Sequence, residues 1–188
     1  MGSLSALAGE VVCNEKAGGS PCIPSRRRWE HVYTMRFDGG LLARGFWLYV
    51  WRITHGERVA FYVGRTGDTS SRFASSPFRR IGQHLDLRPS AKGNSLSKQL
   101  ESAGLPAKDC AFDMVAVGPV FDEQQTLEKH LEFMRKTAAL ERALADYLRG
   151  LGHQVLGEHP RLGVLDEGLR DSICRAVSEK LWGRPTAA

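Results

Sequence analysis

Cysteine is sparse and scattered in this chain: Cys13, Cys22, Cys110 and Cys174 are the only four, and their spacing fits no zinc-ligand pattern. Reduced thiols in a cytoplasmic protein are the expectation, with a Cys13–Cys22 pairing left open. Long apolar runs are missing as well. No stretch approaches the ~20 residues of a membrane-spanning helix, and the opening residues hold no apolar core of a secretory signal. No internal repeat is evident. What remains is ordinary globular composition, with 42% hydrophobic and 25% charged residues among 188, enough for one good core with terminal additions.

The formal net charge is +5, and its distribution says more than its total. Seven Arg and Lys lie between Arg65 and Lys98 against two acids, Asp68 and Asp86, whereas the chain beyond Lys98 is slightly acidic. A patch of that sign attracts a phosphate backbone through its field and through counterion release. It serves equally well as a solvated face.

Residues 1–28 mix Gly, Ser, Ala and Pro without periodicity and read as a loose arm ending in Arg26-Arg27-Arg28. Weak alternation from Trp29 to Phe37 predicts an edge strand. Phe46 to Ile53 and Arg58 to Val63 are β-rich aromatic runs around a short polar segment with Gly56, the pattern of a hairpin. Ser76-Pro77 is an N-cap followed by a proline at the first helical position, predicting a helix to about Leu87. A shorter helix follows from Ser95 to Ala103, then a third strand from Ala111 to Val117. The longest periodic segment, 123–151, places Leu127, Leu131, Met134, Ala138, Ala145 and Leu148 on one stripe, predicting a core-facing helix. A last helix is expected from about Asp166 to Leu181.

Glu141 completes that apolar stripe, between Ala138 and Ala145. Burying a carboxylate is expensive unless a cation, a metal or hydrogen bonds compensate it. A packed ion pair is one reading; a ligand for Mg2+, which commonly keeps several waters beside few carboxylates, is the other. Arg80 and His84, four residues apart, share a helix face. Arginine presents directed donors to phosphate oxygens, and histidine transfers protons near neutral pH. Tyr49 and Tyr62 sit at corresponding sites in the two hairpin strands, and Gly64 closes the second strand where close approach of backbone or ligand is allowed.

The order Trp47-Leu48-Tyr49, then Tyr62-Val63-Gly64, then an arginine with a histidine four residues later, then a glutamate on a long helix resembles the GIY-YIG nuclease superfamily, over about residues 46–157. In the first motif only Tyr49 matches literally, with Trp47 where the family usually has Gly. The second motif, followed by Arg65-Thr66, is the closer match.

The resemblance implies a mixed α/β (α+β) domain with a small three-stranded antiparallel sheet flanked by helices. That domain covers residues 29–159 with its edge-strand extension, between the arm and a C-terminal helical extension, 160–188. It also implies roles. Glu141 matches the metal-binding glutamate, holding Mg2+ or, in its place, Mn2+; Arg80 matches the phosphate-stabilising arginine and His84 the histidine of that helix. Tyr49 and Tyr62 match the two motif tyrosines, one of which activates or orients the attacking water. Arg72 fits the spacing of members with a short loop, whereas Arg80 fits a longer loop and keeps its relation to His84. Gly64, Arg65, Arg72, Arg79, Lys92 and Lys98 become supporting or DNA-contacting positions. Many members carry an Asn twelve to fifteen residues after the glutamate. No Asn occurs after Asn94 here, and His153, Gln154 and Glu158 stand as candidates for its place.

The implied activity is metal-dependent hydrolysis of double-stranded DNA by a compact, sequence-specific enzyme of type II restriction kind, working as a homodimer. A structure-specific repair nuclease, a catalytically silent DNA-binding module, and a structural protein whose Glu141 is neutralised by an internal arginine are the alternatives.

Overall fold

The structure, a computed structural model, describes residues 32–68, 71–159 and 162–183. The chain divides into two units, 1–36 and 37–188. In the first, residues 32–36 hold no regular secondary structure. The edge strand expected over 29–37 is therefore not formed at 32–37; positions 29–31 and the arm 1–28, with Cys13 and Cys22, lie outside the described residues. Val32 to Phe37 has only weak alternation and every one of its residues is exposed, so no buried face selects an extended conformation.

The second unit is built on an antiparallel hairpin of β1 (Phe46–His55) and β2 (Arg58–Arg65). Its two-residue turn puts Gly56 at φ +58, a conformation that tight hairpin turns need and glycine adopts at little cost. Thr66 carries the pairing one residue further. Its N–H donates to Trp47 O at 3.0 Å, and its hydroxyl accepts from Trp47 N at 2.8 Å and donates to Gly45 O at 2.5 Å.

Ser76 then caps α1 (Pro77–His84), its hydroxyl accepting from Arg79 N. The helix α2 (Ser95–Ser102) leads to β3 (Ala111–Phe121), which pairs antiparallel with the other edge of β1. Thr126 caps α3 (Leu127–Gly150), and after β4 (Val155–Leu156) Asp166 caps α4 (Glu167–Trp182).

The sheet thus has four strands in the order β3-β1-β2-β4, not three, and its last pair is parallel. The chain returning from α3 runs beside β2, where Phe61 N donates to Gln154 O at 2.8 Å and covers an edge that would otherwise stay unpaired. Two residues are too short for alternation to reveal.

Alternation along β1 and β2 sends their side chains to two cores. On one face Leu48, Val50, Phe61 and Val63 meet Leu140, Leu144 and Leu148 of α3 and Ile173, Cys174 and Val177 of α4. On the other, Tyr49, Trp51, Ile53 and Tyr62 meet Leu96 and Leu100 of α2, Leu105 and Leu156. Each such leucine stabilises the fold by roughly 1.5–3 kcal/mol. The helix expected within a C-terminal extension therefore helps to build the main core.

The stripe of α3 holds from Ala138 to Leu148 but not before it: Leu127 is 47% exposed, and Leu131 and Met134 are half-buried. In the first half the inward face runs instead through His130, Phe133 and Thr137, with Phe46 meeting His130 at 5.1 Å and Phe121 meeting Phe133 at 4.8 Å between ring centroids. Histidine and threonine do not register as apolar in a periodicity count, which hides that face. Among the described residues, no helix is long and apolar enough to cross a membrane.

Candidate active site

Strand register places Tyr49 opposite Gly64 and Tyr62 opposite Trp51. The two tyrosines are thus diagonal neighbours on one face of the hairpin, offset by a residue pair and not directly opposed. The Tyr49 ring lies across Gly64, where a Cβ would fall 2.5 Å from Tyr49 Cε2. Only glycine fits beneath that ring, which gives the motif glycine a packing role.

His84, at the end of α1, stands between the two tyrosines, with ring centroids 5.6 Å from Tyr49 and 5.5 Å from Tyr62, both edge to face. Its Nε2 is 2.5 Å from the Tyr49 hydroxyl. That hydroxyl has a second partner, the Arg65 carbonyl, to which it donates at 3.1 Å. With Nε2 unprotonated, the phenolic proton points at the imidazole; with Nε2 protonated, it points at the carbonyl.

Burial disfavours charge on all three groups. It lowers His84 to about 4, helped by the charge of Arg80. It pushes Tyr49 far above the ordinary tyrosine value, and Tyr62 up to about 12, with the Glu141 charge adding to the latter. The trio is neutral at neutral pH.

One turn earlier on the same face lies Arg80, 9% exposed. Its Nη2 donates to Asp68 at 2.7 Å and its Nη1 to Gln83 Oε1 at 2.8 Å, while the buried Nε has no partner. Arg72 instead lies on the surface with Nη1 bonded to Gln125 O at 3.0 Å. Of the two arginines, Arg80 is the one beside the tyrosines. Arg79, Lys92 and Lys98 are exposed.

Glu141 enters from α3 and accepts from Arg65 Nε at 2.9 Å, the two side chains being 18% and 14% exposed. Burial pushes its carboxyl up to about 7, against the pull of the Arg65 guanidinium. The charges of Asp68 and Arg80 act on Glu141, and Glu141 acts on Tyr62, so residues from both faces of the sheet share one field at the end of β2. Arg65 Nη1, Arg80 Nε and His84 Nδ1 are buried with no protein partner. Each such nitrogen costs about 1–3 kcal/mol unless water or a ligand pairs with it.

Among the described residues, no group of three or more His, Cys, Asp or Glu is arranged to hold a metal ion. A single carboxylate does fit a hard dication that retains most of its water, so Glu141 suits Mg2+ or Mn2+.

Asp68, Gln83 and His159 are site-region residues that the sequence did not single out for these roles. Asp68 carried a signal, as an acid directly behind Gly64-Arg65-Thr66-Gly67 in an otherwise basic segment. His159 is buried, with Nε2 3.1 Å from Val63 O and Nδ1 3.3 Å from Arg149 Nη2, and so fastens the end of β2. The three residues considered for the asparagine's place all follow α3. His153 stacks on Trp182 at 5.1 Å, Gln154 supplies a backbone carbonyl, and Glu158 is exposed. Comparisons with protein-family models, with curated proteins and with solved structures found no match.

Proposed function

We propose that this chain is a metal-dependent endonuclease that hydrolyses phosphodiester bonds of double-stranded DNA, of the compact GIY-YIG restriction kind and acting in the cytoplasm. The observation that carries the reading is the pairing of an imidazole, wedged between two tyrosines and bonded to one of them, with a buried arginine on the same helix face that keeps a donor unused. A phosphate oxygen supplies the acceptor that Arg80 Nε and Arg65 Nη1 lack. The guanidiniums stay charged throughout and stabilise negative charge developing at phosphorus.

A water molecule attacks phosphorus as the bond to the leaving oxygen breaks. Tyr49 is too buried to work as a free phenolate base, but it can relay. It accepts the proton of the attacking water as its own proton passes to neutral His84 Nε2. Tyr62, the more accessible ring, borders the water and orients it. Glu141 would hold the dication, which supplies stabilisation of charge on phosphate and leaving-group oxygens when bound. A two-fold pair of chains would present one such site to each strand.

The test is cleavage of plasmid, linear duplex and branched DNA with Mg2+, followed by mapping of the ends. Glu141→Gln is expected to lower the rate by about 100-fold or more. A recurrent end supports the restriction reading and junction-dependent cuts the repair reading. Equal cleavage by parent and variant, or none by either with binding unchanged in chelator, rejects catalysis at this site.

A further inference from the structure

The loop that leaves β2 is held on two sides before it reaches α1. Thr66 is clamped to Trp47 and Gly45, and Gly67 turns at φ +76 with its Cα so close to the Phe46 ring that a Cβ would lie 2.4 Å from it. The turn aims Asp68 back at α1, where its Oδ2 accepts from Arg80 Nη2 at 2.7 Å. Gln83 Oε1 takes Nη1 from the other side of the guanidinium. Both terminal nitrogens are thereby pinned, the buried Nε makes no well-aligned hydrogen bond, and the guanidinium also comes within hydrogen-bonding reach of Tyr49. The Arg80 charge acts on Tyr49, which puts that guanidinium beside the proposed proton relay.

We propose that Asp68 is a positioning residue for the cleavage reaction, holding the Arg80 guanidinium so that its unshared Nε–H is directed at the reacting phosphate. This rests on the nuclease reading. An arginine has several rotatable bonds and loses its aim readily; a carboxylate at one terminal nitrogen and an amide oxygen at the other remove that freedom in advance. Asp68 itself does not touch the reacting atoms. A carboxylate on the same guanidinium has an opposite possible effect: as a counterion it would compete with phosphate and slow the reaction. The sign of the Asp68→Ala effect separates the two.

The experiment uses the full chain with Mg2+ and supercoiled plasmid, in a cycle of Asp68→Ala, Arg80→Ala and the double variant, together with Asp68→Asn. Asp68→Ala is expected to lower the single-turnover rate by about 10- to 100-fold while the half-saturating DNA concentration moves less than about threefold. Asp68→Asn keeps an oxygen acceptor for Nη2 and should recover most of the rate. In the Arg80→Ala background, Asp68→Ala should cost less than about twofold more, since the residue it positions is gone. A second readout is independent of turnover: the Nε–H of Arg80, followed by 15N relaxation, should be rigid in the parent and in Asp68→Asn and loosened in Asp68→Ala.

Faster or unchanged cleavage by Asp68→Ala, losses that simply add, or an Arg80 signal equally rigid in all variants would overturn the proposal. A parent that cuts no DNA, with the Arg80 signal still loosened in Asp68→Ala, sinks the nuclease reading and supports the hold of Asp68 on Arg80.

Discussion

Residues one apart on β1 look into different halves of the molecule. Leu48 and Val50 face α3 and α4 through side chains that are aliphatic almost throughout, whereas Tyr49 and Trp51 face the side of α1 and α2, where His84 and Arg80 are buried among them. The first face spends most of its burial on removing apolar surface from water, with the Arg65–Glu141 ion pair at the end of β2 as its polar part. The second buries polar atoms and leaves Arg80 Nε and His84 Nδ1 without partners, which a purely structural core avoids. The difference teaches where the polar cost falls: around His84 and Arg80 on the α1 side, and on the α3 side only where Glu141 meets Arg65.

The comparison breaks most visibly on the aliphatic face. Leu144→Ala removes a leucine that is 1% exposed at the centre of the α3 side, and about 2–5 kcal/mol of stability is expected to go with it. The rate of cleavage per folded molecule should stay the same. Denaturant unfolding together with active-fraction titration checks both halves of that statement.

On the other face the expected order is reversed. Tyr49→Phe deletes only the hydroxyl that joins His84 and the Arg65 carbonyl, so stability should fall by about 1 kcal/mol, the net worth of a hydrogen bond. Cleavage should fall by about 10- to 100-fold if the phenol relays the proton. Unchanged cleavage with a normal melting temperature would remove Tyr49 from the relay.

The smallest effect sharpens the contrast through pH. Burial holds folded His84 at about 4, below its ordinary 6.5, so the unfolded chain takes up the proton first. Stability linked to His84 is therefore complete above pH 6.5 and is lost as pH falls toward 4. His84→Gln should lose less stability than the parent on acidification, by about 1 kcal/mol near pH 5.5. Thermal melts across pH 7 to 4.5 give the two slopes; parallel slopes would mean that His84 is not held neutral by burial.

Much of the fold was legible because local signals agreed with tertiary demands. The Gly56 turn, the Ser76-Pro77 cap and the apolar second half of α3 all stand near their expected places. What escaped was short or polar. The two-residue β4 has no period to detect, the inward face of early α3 is written in His130 and Thr137, and Trp29 to Phe37 alternates without gaining a strand at its described positions. In the site, Glu141 drew attention because a carboxylate stood in an apolar stripe, and the structure pairs it with Arg65, the packed ion pair that was one of its two readings. Asp68 did not, because an acid in a loop is ordinary until its partner is known.

The sequence by itself determined the hairpin, the two-face alternation and the residue types on offer, since period and turn chemistry act over a few neighbouring residues. Only the tertiary structure decided partners. Arg65 and Glu141 are 76 positions apart, and Val63 and His159 are 96 apart. Hydrogen bonds act over about 3 Å of space regardless of that separation, so folding had to bring the chain together before any of these groups acquired a role.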